Sequence, residues 1–209
     1  MTRKSLTFDR ERELAGHANG YVAGVDEAGR GPWAGPVVAA AVILREENTP
    51  MGLRDSKQLT ANAREALFDA INETASVGVG IVSVEQIDHM NILQATFLAM
   101  RQAVEALTTA PDLALVDGNR APPLPCHAIT VVGGDRLCPS IAAASIIAKV
   151  TRDRLMADLA ENFPGYGWSA NKGYGTRQHA EAIAQLGVTP HHRRSFAPIR
   201  EALSSNCHT

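Results

Sequence analysis

The sequence predicts an α/β fold, a mixed sheet with helices packed on its faces, from three observations. Short apolar runs come early in the chain, helical patterns alternate with further strands afterwards, and glycine-rich turns follow several of the strands. Residues 21–27 ("YVAGVDE") and 36–44 ("PVVAAAVIL") read as strands joined through a glycine-rich turn. "LTANAREALFDAINE" (59–73) places Ala63, Leu67, Ala70 and Ile71 at helical spacing, with Thr60 as the N-cap. "SVGVGIVSV" (76–84) predicts a third strand, weakened by its glycines, and "NILQATFLAMRQAVEAL" (91–107) a helix closed by Thr-Thr-Ala-Pro. "LALVDGN" (113–119) and "CHAITVVGGD" (126–135) are apolar runs of the buried-strand type. The longest helix is expected over 140–162; its small residues permit close approach to a sheet, while Ser145, Lys149 and Arg152, recurring at i, i+4 and i+7, predict one wet face. An irregular section (163–176), a short helix from about 177 to 186 and a tail follow.

Length and composition bound what this fold can be. The 209 residues suit one domain, 1–209, with residues from about 165 onward as a C-terminal helical and loop extension. The hydrophobic share is 45% and the charged share 20%, enough for a sizeable core, and charges interrupt every apolar stretch long enough to suggest a membrane span. The N-terminus lacks the apolar core of a secretory signal. Cys126, Cys138 and Cys207 are odd in number and lack C-x-x-C spacing, which argues against a disulfide framework or zinc site and fits a reducing cytoplasm. A monomer is the default expectation. The net charge of −2 conceals a local excess: between residues 171 and 200, Lys172, Arg177, Arg193, Arg194 and Arg200 face Glu181 alone, so five minus one gives +4. A basic tail beside an acidic cluster suggests a polyanion held near a metal, with a solvated face as the alternative.

The acidic cluster emerges from a repetition. One strand ends in Asp26-Glu27, "LALVD" ends in Asp117, and "ITVVGGD" runs out into Asp135, each beside glycine. Ligands of open α/β sheets bind outside the carboxyl ends of the strands, so these acids converge if the first and fourth strands are parallel. Neighbouring strand residues point to opposite faces, so Asp26 and Glu27 both reach one crevice only if the strand ends or distorts there. Two unit charges ~4 Å apart repel by about 4 kcal/mol at an effective dielectric of ~20. Four converging carboxylates must therefore protonate, splay into water or bind cations, and hard oxygen ligands suit magnesium or manganese. Taken singly, an Asp before Gly at a strand end is most often a turn residue.

"GVDEAGRGPWAGPVVAAAVI" resembles the opening signature of bacterial ribonuclease HII, a type 2 ribonuclease H. The likeness continues through "LRDSKQLT" (53–60), "LVDGN" (115–119), "GGDRLCPSIAAASIIAKVTRDRLM" (133–156), "NKGYGT" (171–176) and "HHRRSF" (191–196), in family order. The resemblance implies a ribonuclease H-like fold with a mixed five-stranded sheet flanked by helices. It implies an endonuclease that cuts the RNA strand of RNA–DNA hybrids and incises duplex DNA 5′ of single embedded ribonucleotides, leaving 5′-phosphate and 3′-OH ends. By resemblance, Asp26, Glu27, Asp117 and Asp135 hold two divalent ions, Mn2+ or Mg2+. Gly29, Arg30 and Gly31 sense the 2′-hydroxyl at the RNA–DNA junction, and Tyr174 stacks on the following sugar. Lys57 is expected to meet a phosphate, and Arg193 and Arg194 to touch duplex phosphates. Ser140, Ser145 and Lys149 are expected to brace the site or pack in the core; Trp33 and Trp168 are expected to pack, and His179 has no assigned role. Two rival readings are a DNA exonuclease with a similar carboxylate cluster and a catalytically inactive hybrid-binding module.

Overall fold

Five of the apolar runs become the strands of one mixed sheet, β1 (Val22–Ala28), β2 (Val37–Ile43), β3 (Ser76–Val82), β4 (Leu113–Asp117) and β5 (His127–Val131), in the order β3-β2-β1-β4-β5. The sheet belongs to a computed structural model that describes residues 6–16 and 20–205. β1–β2 and β2–β3 are antiparallel, while β1–β4 and β4–β5 are parallel, as convergence of the acids requires. Among the described residues the α-helices are α1 (Asp9–Ala15), α2 (Ala61–Thr74), α3 (Val84–Met90), α4 (Ile92–Glu105), α5 (Pro139–Asn162), α6 (Trp168–Asn171), α7 (Arg177–Leu186) and α8 (Ala197–Ser205).

Alternation along β2 sends Ala39 and Ala41 to one face, with α3 and α4, and Ala40 and Val42 to the other, with α2 and α5. Thr60 caps α2 through the Ala63 amide as expected. The glycines of β3 do not weaken it. A Cβ at Gly80 would collide with the Ala99 carbonyl oxygen, and one at Gly78 with that of Ala103, so their bareness lets α4 lie against the strand.

The expected wet stripe on α5 is absent. Ser145 and Arg152 are buried, because strands cover one side of the helix while residues 34–36, the 3-10 turn Ser56–Gln58 and the α6 region cover others. Lys149 is half-buried and pairs with Asp153 at 2.6 Å. At the N-terminus of α5, the Ser140 amide and hydroxyl both donate to buried Glu11 of α1, at 2.7 and 2.8 Å. The tail packs as α7 and α8 around Trp168, Tyr166, Met156 and Ile199. Cys126 and Cys138 are free thiols; Cys207 lies outside the described residues.

Gly80→Ala is expected to destabilise by about 1–3 kcal/mol, the usual cost of overpacking a tight contact. A shift of the urea midpoint measures it, and an unchanged midpoint contradicts this account of the glycines.

Candidate active site

β1 stays in register with β2 through Glu27↔Ala39 and Ala28↔Val38, so the strand neither ends nor distorts at the paired acids as the sequence suggested. Its other flank opens instead. Pairing with β4 stops at Val25↔Val116, which leaves residues 26–28 without a parallel neighbour. The Asp26 carboxylate turns back onto the next amide, accepting from Glu27 N at 2.7 Å. A cleft of about 380 Å³ begins there, lined by Asp26, Glu27, Gly29, Arg30, Gly31, Lys57 and Tyr174, with Ser56, Ser145, Lys149 and Arg152 beneath. A larger hollow of about 820 Å³ runs past Arg12, Arg54, Asp55 and Arg136, away from the paired acids.

Asp117 ends β4 and accepts from Gly134 N at 2.7 Å. Asp135 lies beyond its strand: β5 ends at Val131, and the residue sits in the 3-10 turn Gly134–Arg136, buried and 3.7 Å from Arg136. Burial raises the Asp26 pKa well above its ordinary value, and the charges of Glu27, Asp117 and Asp135 push it further. Burial also raises Glu27, against Arg30 at 3.2 Å, and raises Asp135, helped by Asp55 and Asp117 and opposed by Lys57 and Arg136. The four acids thus act on one another electrostatically. Among the described residues, however, no three His, Cys, Asp or Glu side chains group closely enough to hold one ion. Each acid instead turns to its own donor or cation, Asp26 to the Glu27 amide, the splaying that repulsion dictates. Four carboxylates against two arginine partners leave an excess of oxygen donors and negative charge that suits a hard divalent cation, and the residues present fit one.

The sensor segment is built by two arginines. Arg193, expected at the surface, is fully buried; it donates to Gly35 O (Nε, 2.9 Å), Arg30 O (Nη1, 3.1 Å), and Gly29 O and Pro36 O (Nη2, 2.6 and 3.1 Å). It therefore cannot touch a phosphate. Arg152 lies alongside and donates to Pro36 O, Lys172 O and Ala34 O at 2.9–3.1 Å. Burial lowers Arg152 to about 10 and Arg193 to about 9, so both are charged at neutral pH. Sequence reading missed this pair, since a buried arginine looks like a surface one until its carbonyl partners are known.

Gly29 and Gly31 differ. Gly29 has φ +100°, and a Cβ there would strike the Arg152 guanidinium; the fold itself demands glycine. At Gly31 a Cβ would meet only Tyr174 Cε1, at 3.5 Å, so the protein leaves that side open. Tyr174 is 47% exposed across from it, and Lys57 is exposed on the rim. Arg194 is exposed, its amide held by Asp88. Trp168 and His179 are fully buried and bonded at 3.0 Å, the packing role expected of the tryptophan. Of the +4 tail, Arg193 is interior and Arg177 pairs with Glu181 at 2.7 Å, so the basic surface is smaller than the sequence implied.

The family model for ribonuclease HII matches residues 23–199. This chain belongs to the ribonuclease HII family. A ribonuclease HII from Jannaschia sp. (strain CCS1) is 58% identical over 197 residues, covering 94% of this chain and 97% of its own. The crystal structure of the ribonuclease H2 from Pyrococcus horikoshii OT3 matches with a TM-score of 0.76 at 31% identity, covering 90% of this chain and 100% of that one. Bst-RNase HIII in complex with Mn2+ matches at 0.71 over 90% of this chain and 71% of that one; its 21% identity shows the ribonuclease H-like fold alone. The family is one of endoribonucleases that degrade the RNA of RNA–DNA hybrids.

Two expectations follow. A raised carboxyl pKa means that the folded protein holds its proton more tightly than the unfolded chain. That contribution is full below the unfolded-state pKa and is lost as pH rises through the folded one. At neutral pH without divalent ions the acids therefore weaken the fold. Asp26→Asn should raise Tm in chelator by about 2–4 °C, the shift that ~1 kcal/mol produces in a chain of this size. Mn2+ should raise the Tm of the native protein more than that of the variant; a lower Tm for the variant in chelator contradicts the reading. Secondly, Gly29→Ala should lose about 1–3 kcal/mol to backbone strain and collision, while Gly31→Ala stays within about 0.5 kcal/mol of the parent. Chemical denaturation of the two variants distinguishes them.

Proposed function

We propose that the chain is a divalent-metal-dependent endonuclease that cuts the RNA strand of RNA–DNA hybrids and incises duplex DNA on the 5′ side of single embedded ribonucleotides. The observation that carries this is one cleft in which the acids Asp26 and Glu27, the bare backbone of Gly29–Gly31 and the exposed Tyr174 ring lie side by side. Acids alone make a nuclease; acids beside an open peptide surface make one that can feel a hydroxyl.

Asp26, Glu27, Asp117 and Asp135 would hold two ions, magnesium or manganese. When bound there, divalent cations supply a water activated for in-line attack on phosphorus and neutralise the departing 3′-oxygen. The attacking oxygen bonds to phosphorus as the P–O3′ bond breaks, leaving a 3′-OH upstream and a 5′-phosphate on the ribonucleotide. Gly31, open on the protein side, admits the ribose so that peptide groups reach the 2′-OH, the group that tells RNA from DNA. Tyr174 offers its ring to the next sugar, and Lys57 reaches a phosphate from the rim. The region from about 165 onward contributes by shaping the tyrosine loop: Trp33 N and Ala34 N donate to Gly173 O at 2.8 and 3.3 Å, and Gly35 N to His191 O at 2.9 Å. The substrate partners are RNA–DNA hybrid and ribonucleotide-containing duplex DNA, met by a monomer in the cytoplasm. No described helix is long and apolar enough to cross a membrane.

An end-labelled duplex bearing one ribonucleotide should be cut once, 5′ of that residue, in Mg2+ or Mn2+ and not in chelator, while the all-DNA duplex stays intact. Asp117→Asn should abolish cutting and retain duplex binding. Equal cutting of both duplexes removes hydroxyl sensing, a ladder from the ends favours an exonuclease, and metal-indifferent binding without turnover favours a binding module.

A further inference from the structure

Among the described residues the buried guanidinium of Arg193 meets no carboxylate at hydrogen-bonding distance; its four partners are all peptide carbonyls, and two of them, Gly29 O and Arg30 O, belong to the sensor itself. That choice has a directional consequence. No described peptide bond is cis, and in a trans peptide the C=O and N–H of one unit point in opposite directions. Gly29 O shares its peptide with Arg30 N–H, and Arg30 O shares its peptide with Gly31 N–H. Both carbonyls point inward to Arg193, so both N–H groups point away from it, toward the cleft that Gly29, Arg30 and Gly31 line. Among the described residues neither N–H donates to another group of the protein.

We propose that Arg193 is a positioning residue that sets ribonucleotide selectivity from beneath: by holding the carbonyls of Gly29 and Arg30 inward, it presents the Arg30 and Gly31 amides as a pair of donors to the 2′-hydroxyl oxygen. Arg193 touches no substrate atom. A guanidinium suits the task because its planar fork addresses several carbonyls in fixed directions at once, which an ammonium cannot reproduce. Its charge also polarises each bonded peptide, strengthening the N–H at the far end. Pro36 O, taken by Arg193 Nη2 at 3.1 Å and Arg152 Nε at 2.9 Å, ties the unit to the arginine that packs under Gly29. Arg193 N itself donates to Trp33 O at 2.8 Å, so backbone and side chain of one residue hold the chain at points between Gly29 and Pro36.

This inference rests on the function proposed above, and the experiment separates the two. Cleavage of matched duplexes with and without one ribonucleotide is measured for the native protein, Arg193→Lys and Met100→Ala. Met100 is a core residue of α4 on the far face of the sheet, and its variant controls for lost stability. The native protein should prefer the ribonucleotide. In Arg193→Lys, kcat on that substrate should fall by about a hundredfold, as misplacement of a positioning group does. Its binding to the all-DNA duplex should hold, and Met100→Ala should keep the native selectivity despite its lower Tm. Unchanged selectivity in Arg193→Lys, or an equal loss in Met100→Ala, overturns the assignment. Should Arg193→Lys fail to fold, the native protein decides. In complexes held uncleaved with Ca2+, the Arg30 and Gly31 amide protons should move downfield with the ribonucleotide duplex relative to the all-DNA one. Identical shifts overturn the proposal. A native protein without any preference refutes the proposed function instead.

Discussion

Asp26 sits inside the protein with one carboxylate oxygen bonded to the amide of its own neighbour, while burial and the charges of Glu27, Asp117 and Asp135 drive its pKa upward. The rest of the architecture accommodates that repulsion. β1 runs on past its parallel neighbour, so that a gap exists where the acids stand. Asp117 and Asp135, at the end of β4 and in the turn after β5, act on Asp26 through their charge. Each of the acids has a donor or a cation of its own: the Glu27 amide for Asp26, Arg30 for Glu27, the Gly134 amide for Asp117, Arg136 for Asp135. The two arginines are solvent-facing, so a divalent ion can displace their pairs with Glu27 and Asp135. A tighter set of protein cations would have stabilised the fold and spoiled the site, the exchange of stability for function common at active sites.

The strands and most helices were legible because their signals are local. β2 is an unbroken apolar run, α2 carries its own cap, and β1 and β4 pair in parallel, as the strand-end pattern requires. Where the reading failed, the cause was non-local. Gly78 and Gly80 look like strand breakers until α4 is placed over them. Ser145 and Arg152 look like a solvent stripe until residues 34–36 and the Ser56 turn cover it; Ser145 then donates to Ser56 at 2.7 Å. Arg193, in the run "HHRRSF", looks like its neighbour Arg194, yet one is interior and the other exposed. No periodicity separates them, because the partners of Arg193 are main-chain carbonyls about 160 residues away, which carry no side-chain signature.

The same asymmetry governs the two sensor glycines. Gly29 is glycine for reasons internal to the fold, a positive φ and an arginine against its α-carbon, whereas nothing in the fold excludes a methyl group at Gly31. A motif that reads as one unit in sequence is thus divided between folding and recognition. The division is physical: the residue that turns the chain need not be the one that leaves space for a ligand.

The polar core behind the tyrosine loop shows how the tail keeps this arrangement in place. Tyr174 O can only accept, so the His179 Nδ1 that faces it at 2.9 Å carries the hydrogen. His179 Nε2 is then a lone pair, accepting from Trp168 Nε1 at 3.0 Å and from His192 Nε2 at 3.1 Å. That makes His192 Nδ1 the acceptor for the Thr189 amide at 3.0 Å. Each ring then carries one N–H, and the Thr189 hydroxyl also lies 2.9 Å from His192 Nδ1. A proton added at His179 Nε2 would face the Trp168 and His192 donors, in keeping with burial lowering His179 and bringing His192 down to about 4. The relay therefore holds one pattern across neutral pH and fixes the backbone of Tyr174 from behind, just as Arg193 fixes Gly29 and Arg30 from below. Residues 189–193 supply Arg193 and, through His192, the contact behind His179, so the tyrosine and the sensor are both referenced to the same piece of chain.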